Sequence, residues 1–444
     1  MKISIVGAGY VGLVTGVCLA EKGHQVLLVD VEESKVRRIN AGKTPIYEPG
    51  LPQLLRRNVG RRLRATTDLK GAVLSTDLTF IAVGTPFSGK EIDLTFVKAS
   101  AAEIGAALRK KKSYHVVVVK STVVPGTTDE VVKPILERES GRRAGRDFGV
   151  GMNPEFLSEG EAVHDFLQPD RIVFGGMDDR TRTRLGAVYR SFKGVPVLRT
   201  SNKTAEMIKY TSNSLLATLI SFSNEIGNLC SDLGGVDSVD VMSGVHLSQY
   251  LMPYTAHGRV RAPISSFVAA GCGFGGSCLP KDVKALIARG RGTRSRMPLL
   301  KEVIRINEAQ PMRMIGLLKS RIPSLEGVPV AVLGLAFKPD TDDLRESPAL
   351  RIVDLLLQEG ARVLAYDPVA MPAAQKALGD RPVVYCESLE QAVRKAKALL
   401  LVTSWKEFES LPRLMTRLRR HPVLVDGRRQ LRPASVKNYL GIGL

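Results

Sequence analysis

One stretch concentrates most of the chemistry open to this chain: Gly271-Cys272-Gly273-Phe274-Gly275-Gly276-Ser277-Cys278-Leu279-Pro280-Lys281-Asp282. Glycines let backbone come close to a ligand and leave the following side chain accessible. Cys278 stands just ahead of a helical pattern that starts at Val283, where a helix dipole and Lys281 lower a thiol's pKa and make it a nucleophile. Asp282 follows closely enough to bond a water held near that thiol. Cys18, Cys230 and Cys386 sit in apolar helical or strand settings, where a free thiol is ordinarily a small buried hydrophobe. Cys272 is read as a neighbour within the glycine loop. Five cysteines, odd in number and scattered, are a reduced, cytosolic pattern, and none of their spacings suits a zinc site, so no metal is expected.

A second cluster lies at the start. Gly7-Ala8-Gly9-Tyr10-Val11-Gly12 follows the apolar run Ile3–Val6 and opens a helical run, Leu13–Lys22. The first glycine permits a tight turn, the second lets backbone approach a pyrophosphate, and the third allows close helix–sheet packing. The helix start then offers N–H groups and a positive dipole end to phosphates. Asp30 ends the next apolar run, where a carboxylate binds the adenosine ribose and repels a 2′-phosphate. NAD is therefore favoured over NADP, with Lys35 pulling weakly the other way. A later strand–turn, Val332–Phe337, carries the single glycine Gly334 and should bind a different nucleotide or none.

The elements that must position these residues follow from periodicity. Ile3–Val6, Gln25–Asp30, Thr79–Val83, Val116–Lys120 and Val150–Asn153 read as strands alternating with helices such as Leu94–Leu108. From Ser201 to about Asp232 apolar residues recur at helical spacing without strand punctuation, and further helices follow at Val283–Ala288 and from Pro298 towards Leu318. The last third returns to alternation: Val330–Leu335, Arg362–Asp367, Ala398–Thr403 and Val423–Asp426 as strands, with Ala349–Gln358 a helix. Ser347-Pro348 supplies an N-cap and an N1 proline for that helix, and Gly360 ends it. The expected fold is α/β, two Rossmann-like doubly wound domains joined by a central helical domain. The boundaries are 1–196, 197–318 and 319–444, with links at Lys193–Thr200 and Arg321–Val328.

Bulk properties narrow the classes. The apolar runs are strand-sized, so no membrane span is expected, and Met1-Lys2 leads into a strand without a leader. The net charge of +20 raises a nucleic-acid reading. The basic residues are spread, however, over Arg56-Arg57, Arg61-Arg62, Arg109–Lys112, Arg142-Arg143 and Arg417–Arg420, with no recognition motif among them. Anionic small-molecule ligands suit the excess better.

The blocks Gly7–Gly12, Lys120-Ser121-Thr122-Val123, Asn153–Gly160, Glu206–Asn213, Gly273–Asp282 and Gly334–Pro348 together resemble the UDP-glucose/GDP-mannose dehydrogenase family over nearly the whole chain. That resemblance implies a cytoplasmic homodimer that oxidises UDP-glucose to UDP-glucuronate with NAD, four electrons in all, for polysaccharide biosynthesis. It implies that Cys278 forms a thiohemiacetal and then a thioester, that Lys209 stabilises an oxyanion, and that Asn213, four residues on, helps hold sugar and water. Asp282, Glu155 and Thr122 are then the groups of water activation and proton transfer. NAD would meet the loop Gly7, Gly9, Tyr10, Val11 and Gly12, together with Asp30, Lys35, Thr85, Thr122, Glu159, Lys281 and Arg345. The nucleotide sugar would meet Glu155, Phe156, Leu157, Ser158 and Glu159, then Lys209 and Asn213. Phe267, Val268, Ala269, Ala270, Gly271, Gly275, Lys338 and Arg428 would complete its site. Without the resemblance, Lys209 and Asn213 read as solvated helix residues, and Glu155 and Glu159 as helix-start carboxylates.

The chain departs from the family pattern at His246–Arg261, where an arginine that typically reaches the partner subunit is missing and Arg259 or Arg261 stands as its substitute. The same chemistry on GDP-mannose or a UDP-N-acetylhexosamine is an alternative. So are a two-electron alcohol dehydrogenase, which has no need of Cys278, and a non-catalytic nucleotide-sugar sensor, against which Cys278 and Lys209 together argue.

Overall fold

The computed structural model describes residues 1–255 and 258–444. The chain folds as two compact units, Met1–Ser212 and Asn213–Leu444.

In the first unit, eight strands form one sheet: β1 (Lys2–Val6), β2 (Gln25–Val29), β3 (Leu63–Thr66), β4 (Leu78–Ile81), β5 (His115–Val119), β6 (Phe148–Met152), β7 (Ile172–Gly176) and β8 (Val197–Thr200). Their order is β3-β2-β1-β4-β5-β6-β7-β8. The first six are parallel; β7 turns antiparallel to β6, and β8 runs parallel to β7. Parallel neighbours need crossover connections, and helices such as Tyr10–Glu21 and Thr95–Leu108 supply them and cover the faces. β5 is buried at every position, which is why it reads as an unbroken apolar run rather than an alternation. The order reverses between β1 and β4, so the carboxyl ends of those strands border the crevice where doubly wound sheets bind ligands.

The second unit opens on the remainder of a 32-residue helix, Asn202–Leu233. The helices Ser238–His246, Leu279–Arg291 and Pro298–Arg321 follow, with the short antiparallel strands β9 (Tyr254–Thr255) and β10 (Gly258–Arg259) between the first two. Six parallel strands then form the second sheet: β11 (Pro329–Leu333), β12 (Arg362–Tyr366), β13 (Val383–Tyr385), β14 (Ala398–Leu401), β15 (Val423–Asp426) and β16 (Tyr439–Gly441). Their order, β13-β12-β11-β14-β15-β16, repeats the permutation of the first six strands of the first sheet. Two Rossmann-like sheets with helices between them are thus what the alternation predicts. The Ser347 hydroxyl does cap the helix Pro348–Gln358 at Ala349, and Gly360 takes the left-handed conformation (φ +75°) after it.

Three expectations shift. Residues 197–200, read as part of a link, are the edge strand β8, whose pairing with β7 outweighs the absence of a buried face. The strands Leu63–Thr66, Val383–Tyr385 and Tyr439–Gly441 were not legible, being only three or four residues long, nor was Ile172–Gly176, whose apolar run is cut to three residues by two glycines. The helix after the glycine-rich stretch begins at Leu279 rather than Val283, because Pro280 fits its first turn.

Candidate active site

Within the first unit the dinucleotide turn is built from backbone constraints. Gly7 has φ +97°, and a Cβ on Gly12 would lie 1.8 Å from the Gly7 carbonyl oxygen, so neither position admits another residue. A Cβ on Gly9 would meet nothing within 4 Å, and Gly9 caps the helix Tyr10–Glu21 with no side-chain acceptor for its first N–H groups. Open space above unanswered N–H donors at a helix start is what a pyrophosphate requires. Asp30, one residue past β2, accepts from the Ala8 N–H (2.8 Å) and pairs with Lys35 at 3.2 Å, tying the turn to the neighbouring strand end. On the far side of β1, the Thr85 hydroxyl donates to the Thr122 carbonyl (2.8 Å), joining the segments that follow β4 and β5. These residues fit a dinucleotide.

Beyond β6, Glu155 is buried and 3.1 Å from the ammonium of Lys209, itself 3 % exposed. Its second oxygen accepts the Leu157 N–H at 2.7 Å. Burial pushes the Glu155 pKa up, but Lys209, that N–H and Lys120 together hold it below the ordinary glutamate value. The ring of Phe156 lies 5.5 Å from the Lys209 nitrogen and 4.0 Å from the Arg171 guanidinium carbon. Ser158 is exposed, and its N–H is fixed by Asp165 at 2.8 Å. Lys209 is therefore no solvated helix lysine, and Glu155 no simple helix-start carboxylate.

In the second unit the glycine-rich segment is held from several sides. Asn224 accepts the Gly271 N–H (2.8 Å), Gln310 donates to the Gly271 carbonyl (2.8 Å), and Asn307 bonds both the N–H and the C=O of Phe274. A Cβ on Gly275 would lie 2.3 Å from the Glu346 carbonyl oxygen, and one on Gly276 2.7 Å from the Phe337 ring, so the segment packs directly on the turn after β11. Cys278 caps the helix Leu279–Arg291 and is the one cysteine of the five that is not buried. Ser277 Oγ lies 3.6 Å from its sulfur. Asp282, fully buried one turn on, accepts from Asn213 Nδ2 and from the Lys281 ammonium, each at 2.6 Å.

Lys338 lies over the Phe337 ring at 5.8 Å, and Arg345 is exposed and paired with Asp343. Arg428 donates to the Val402 carbonyl (2.6 Å) and lies against Gly271. Val268 is buried and its carbonyl meets His246, while Phe267 and Ala270 are half-buried and Ala269 exposed. In the divergent segment both arginines are exposed and both bond their own chain: Arg261 meets Ser265 and His246, and Arg259 donates to the Leu247 carbonyl (3.0 Å) beside Tyr254. The acid one residue past β12, Asp367, accepts from five donors: the backbone N–H groups of Leu335, Ala336, Val369 and Ala370, and the Trp405 indole. These bonds tie the turn after β11 to the end of β12 and to the segment after β14.

Family models match three consecutive stretches: the NAD binding domain of the UDP-glucose/GDP-mannose dehydrogenase family at residues 1–193, its central domain at 203–309, and its UDP binding domain at 331–433. The chain belongs to this family. It is an NAD-dependent oxidoreductase of nucleotide sugars. A UDP-glucose 6-dehydrogenase of Haloferax volcanii is 43% identical over 434 residues, covering 97% of each chain. A GDP-mannose 6-dehydrogenase of Pseudomonas aeruginosa is 43% identical over 375 residues, 83% of this chain and 81% of that one. The solved structure of a UDP-glucose dehydrogenase from Pyrobaculum islandicum, 42% identical, superposes with a TM-score of 0.91 over 99% of this chain and 97% of that one.

Several residues that build the site escaped the sequence reading. Glu48 is buried and accepts from the Tyr10 hydroxyl, the Gly160 N–H (2.8 Å) and the Val163 N–H (3.4 Å), clamping the start of the cofactor helix to the end of the Glu155–Glu159 loop. Glu206 accepts from the N–H groups of Gly126 and Thr128 and from the Thr128 hydroxyl, fixing the loop after Thr122; burial pushes its pKa up to about 7 against those donors. Lys120, Asn153 and Tyr189 form a third buried group. No helix among the described residues is long and apolar enough to cross a membrane.

Proposed function

We propose that this chain is a UDP-glucose 6-dehydrogenase that converts the C6 hydroxymethyl of UDP-glucose to the carboxylate of UDP-glucuronate through a covalent bond to Cys278. The observation that carries the mechanism is the contrast among its thiols. Four are buried and inert, while the fifth caps a helix N-terminus one turn before a buried carboxylate held by an amide and an ammonium. NAD supplies the hydride acceptor in both oxidations.

In the first oxidation the alcohol loses a proton as the hydride leaves C6, giving the aldehyde. Cys278 adds to the aldehyde carbon, and the thiohemiacetal oxygen is stabilised by Lys209. Loss of a second hydride and of the hydroxyl proton leaves a thioester. Water then attacks the thioester carbonyl, the thiolate departs, and the carboxylate is released. Overall one alcohol, one water and two NAD give one carboxylate, two NADH and three protons. Glu155 is the group that takes the water's proton. As it does so its hold on the buried Lys209 weakens, which frees that cation's charge for the developing oxyanion. Asp282, fixed by Asn213 and Lys281, orients water at Cys278, and Thr122 lines the path of the proton from the alcohol.

The NAD contacts proposed are the Gly7–Gly12 loop, Asp30, Lys35, Thr85, Thr122, Glu159, Lys281 and Arg345. Those to the nucleotide sugar are Glu155–Glu159, Lys209, Asn213, Phe267–Gly271, Gly275, Lys338 and Arg428. Domains at 1–196, 197–318 and 319–444, a cytoplasmic site of action and a homodimer complete the reading. The dimer is supported by Leu215, Phe222 and Leu229, spaced by seven on one helix and each about half exposed, with Leu233 beyond them. Arg259 or Arg261, both exposed in the divergent segment, is the arginine that this reading places against the partner subunit.

The test is NADH release and product analysis with UDP-glucose, GDP-mannose and UDP-N-acetylhexosamines. Two NADH per UDP-glucuronate is expected, with Cys278→Ala abolishing carboxylate formation. One NADH per substrate, ending at aldehyde, removes the four-electron mechanism; preference for another sugar nucleotide removes the substrate.

A further inference from the structure

β5 and β6 pair in parallel with Val119 opposite Met152, so the first residues beyond them, Lys120 and Asn153, stand side by side at the carboxyl edge of the sheet. The Asn153 N–H bonds the Val119 carbonyl at 2.9 Å. The Asn153 side chain is fixed on three sides: its oxygen accepts from the Lys120 ammonium (3.0 Å) and the Tyr189 hydroxyl, and its amide nitrogen donates to the Val173 carbonyl (2.8 Å). Pro154 and Glu155 come next, so this amide sets where the turn carrying the Glu155 carboxylate leaves the sheet.

Lys120 itself is 3 % exposed, with its nitrogen 5.7 Å from the Phe80 ring centre. A buried lysine is rare because desolvating an ammonium is costly, and an apolar side chain would fill such a space at less cost. Burial pushes this one down to about 8, with Glu155 pulling it up and Lys209 adding to the fall. Positions that break the rules of stable packing in this way are expected at functional sites. The titratable groups facing Glu155 are Lys209 from the long helix and Lys120 from the end of β5, with the Tyr189 phenol beyond Asn153. The phenol, its pKa pushed up by burial, stays neutral.

We propose that Lys120 is a positioning residue for Glu155, fixing its turn through Asn153 and placing a second positive charge beside the carboxylate that Lys209 alone would otherwise balance. The proposal rests on the reading of Glu155 as the base of the hydrolytic step. With Lys120 protonated, the ionised carboxylate is favoured; without it, Lys209 and the Leu157 N–H oppose burial with one positive charge fewer, and the Glu155 pKa rises. The acid limb of carboxylate formation must then move to higher pH, by about one unit, a tenfold loss of rate below the limb that vanishes well above it.

The experiment is the pH dependence of carboxylate formation at saturating UDP-glucose and NAD for the wild type, Lys120→Met, Lys120→Arg and Glu155→Gln, each checked for native circular dichroism. Lys120→Met should be about tenfold slow near the foot of the acid limb and match the wild type at alkaline pH, with Lys120→Arg restoring the limb. A uniform loss across pH, or a limb unchanged in Lys120→Met, overturns the proposal. If Lys120→Met does not fold, Lys120→Arg decides alone: a wild-type limb in a charge-preserving variant supports the role, and a displaced one overturns it. Wild-type rates in Glu155→Gln would instead remove Glu155 as the base, a separate failure read from a separate variant.

Discussion

Replacing Glu48 by Gln keeps the shape of a side chain that three donors converge on and removes its charge. One carboxylate oxygen accepts from both the Tyr10 hydroxyl and the Gly160 N–H; the other faces the Val163 N–H at 3.4 Å. With the amide oxygen placed on the side of the two closer donors, both bonds fall from charge-assisted to neutral strength, a loss of about 1 kcal/mol each. The amide NH2 then opposes the Val163 N–H, which is left without its acceptor at a cost of about 1 kcal/mol. The sum is about 3 kcal/mol. In a unit of some two hundred residues this lowers the melting midpoint by about 6–12 °C. The single tryptophan, Trp405, lies in the other unit, so its fluorescence misses the transition; calorimetry or far-ultraviolet circular dichroism is the assay. Because the clamp joins the first residue of the cofactor helix to the end of the Glu155–Glu159 loop, KM should rise for NAD and for the nucleotide sugar together. A midpoint within about 2 °C of the wild type, or a KM change confined to one ligand, refutes this account of the clamp.

Three further outcomes are expected. Asn213→Asp sets two buried carboxyls in contact, so one takes up a proton and its folded pKa rises. Its stability then matches the wild type best in acid and is lost as pH rises through that raised value, by roughly 3 kcal/mol for two units; denaturant titrations at pH 5 and pH 8 that show a constant difference would contradict it. Gly276→Ala puts a methyl 2.7 Å from the Phe337 ring at φ +85° and should cost about 2–4 kcal/mol by denaturant unfolding, with carboxylate formation falling alongside. Phe222→Arg should convert a dimer to a monomer by light scattering after gel filtration, with circular dichroism unchanged because the ring is half exposed in the single chain.

What the sequence disclosed was local. The turn Gly7–Gly12 was legible because each glycine answers to backbone within a few residues or to the adjacent strand, and Cys278 because its loop and helix lie beside it in the chain. Alternation at both ends of the chain announced two parallel sheets, but not their shared strand permutation, since the same alternation serves other doubly wound orders and barrels. What stayed hidden acts across long separations. Glu48 meets Gly160, Lys120 meets Asn153, and Asn224, Asn307 and Gln310 converge on the Gly271–Phe274 backbone. Each is an unremarkable polar residue until the fold brings its partner. The edge strand Val197–Thr200 was missed for the opposite reason: it is exposed, so no pattern of burial announces it. The ion pair of Lys281 with Asp282, its neighbour in the chain, was likewise not foreseen.

Four cysteines sealed in the interior and one at a helix cap also make the protein its own standard. A thiol reagent added to the native chain meets a single accessible sulfur, so one equivalent of label counts the competent centres in a preparation. The interior thiols respond only when the fold opens, and the ratio of fast to slow labelling measures how much of a sample is folded.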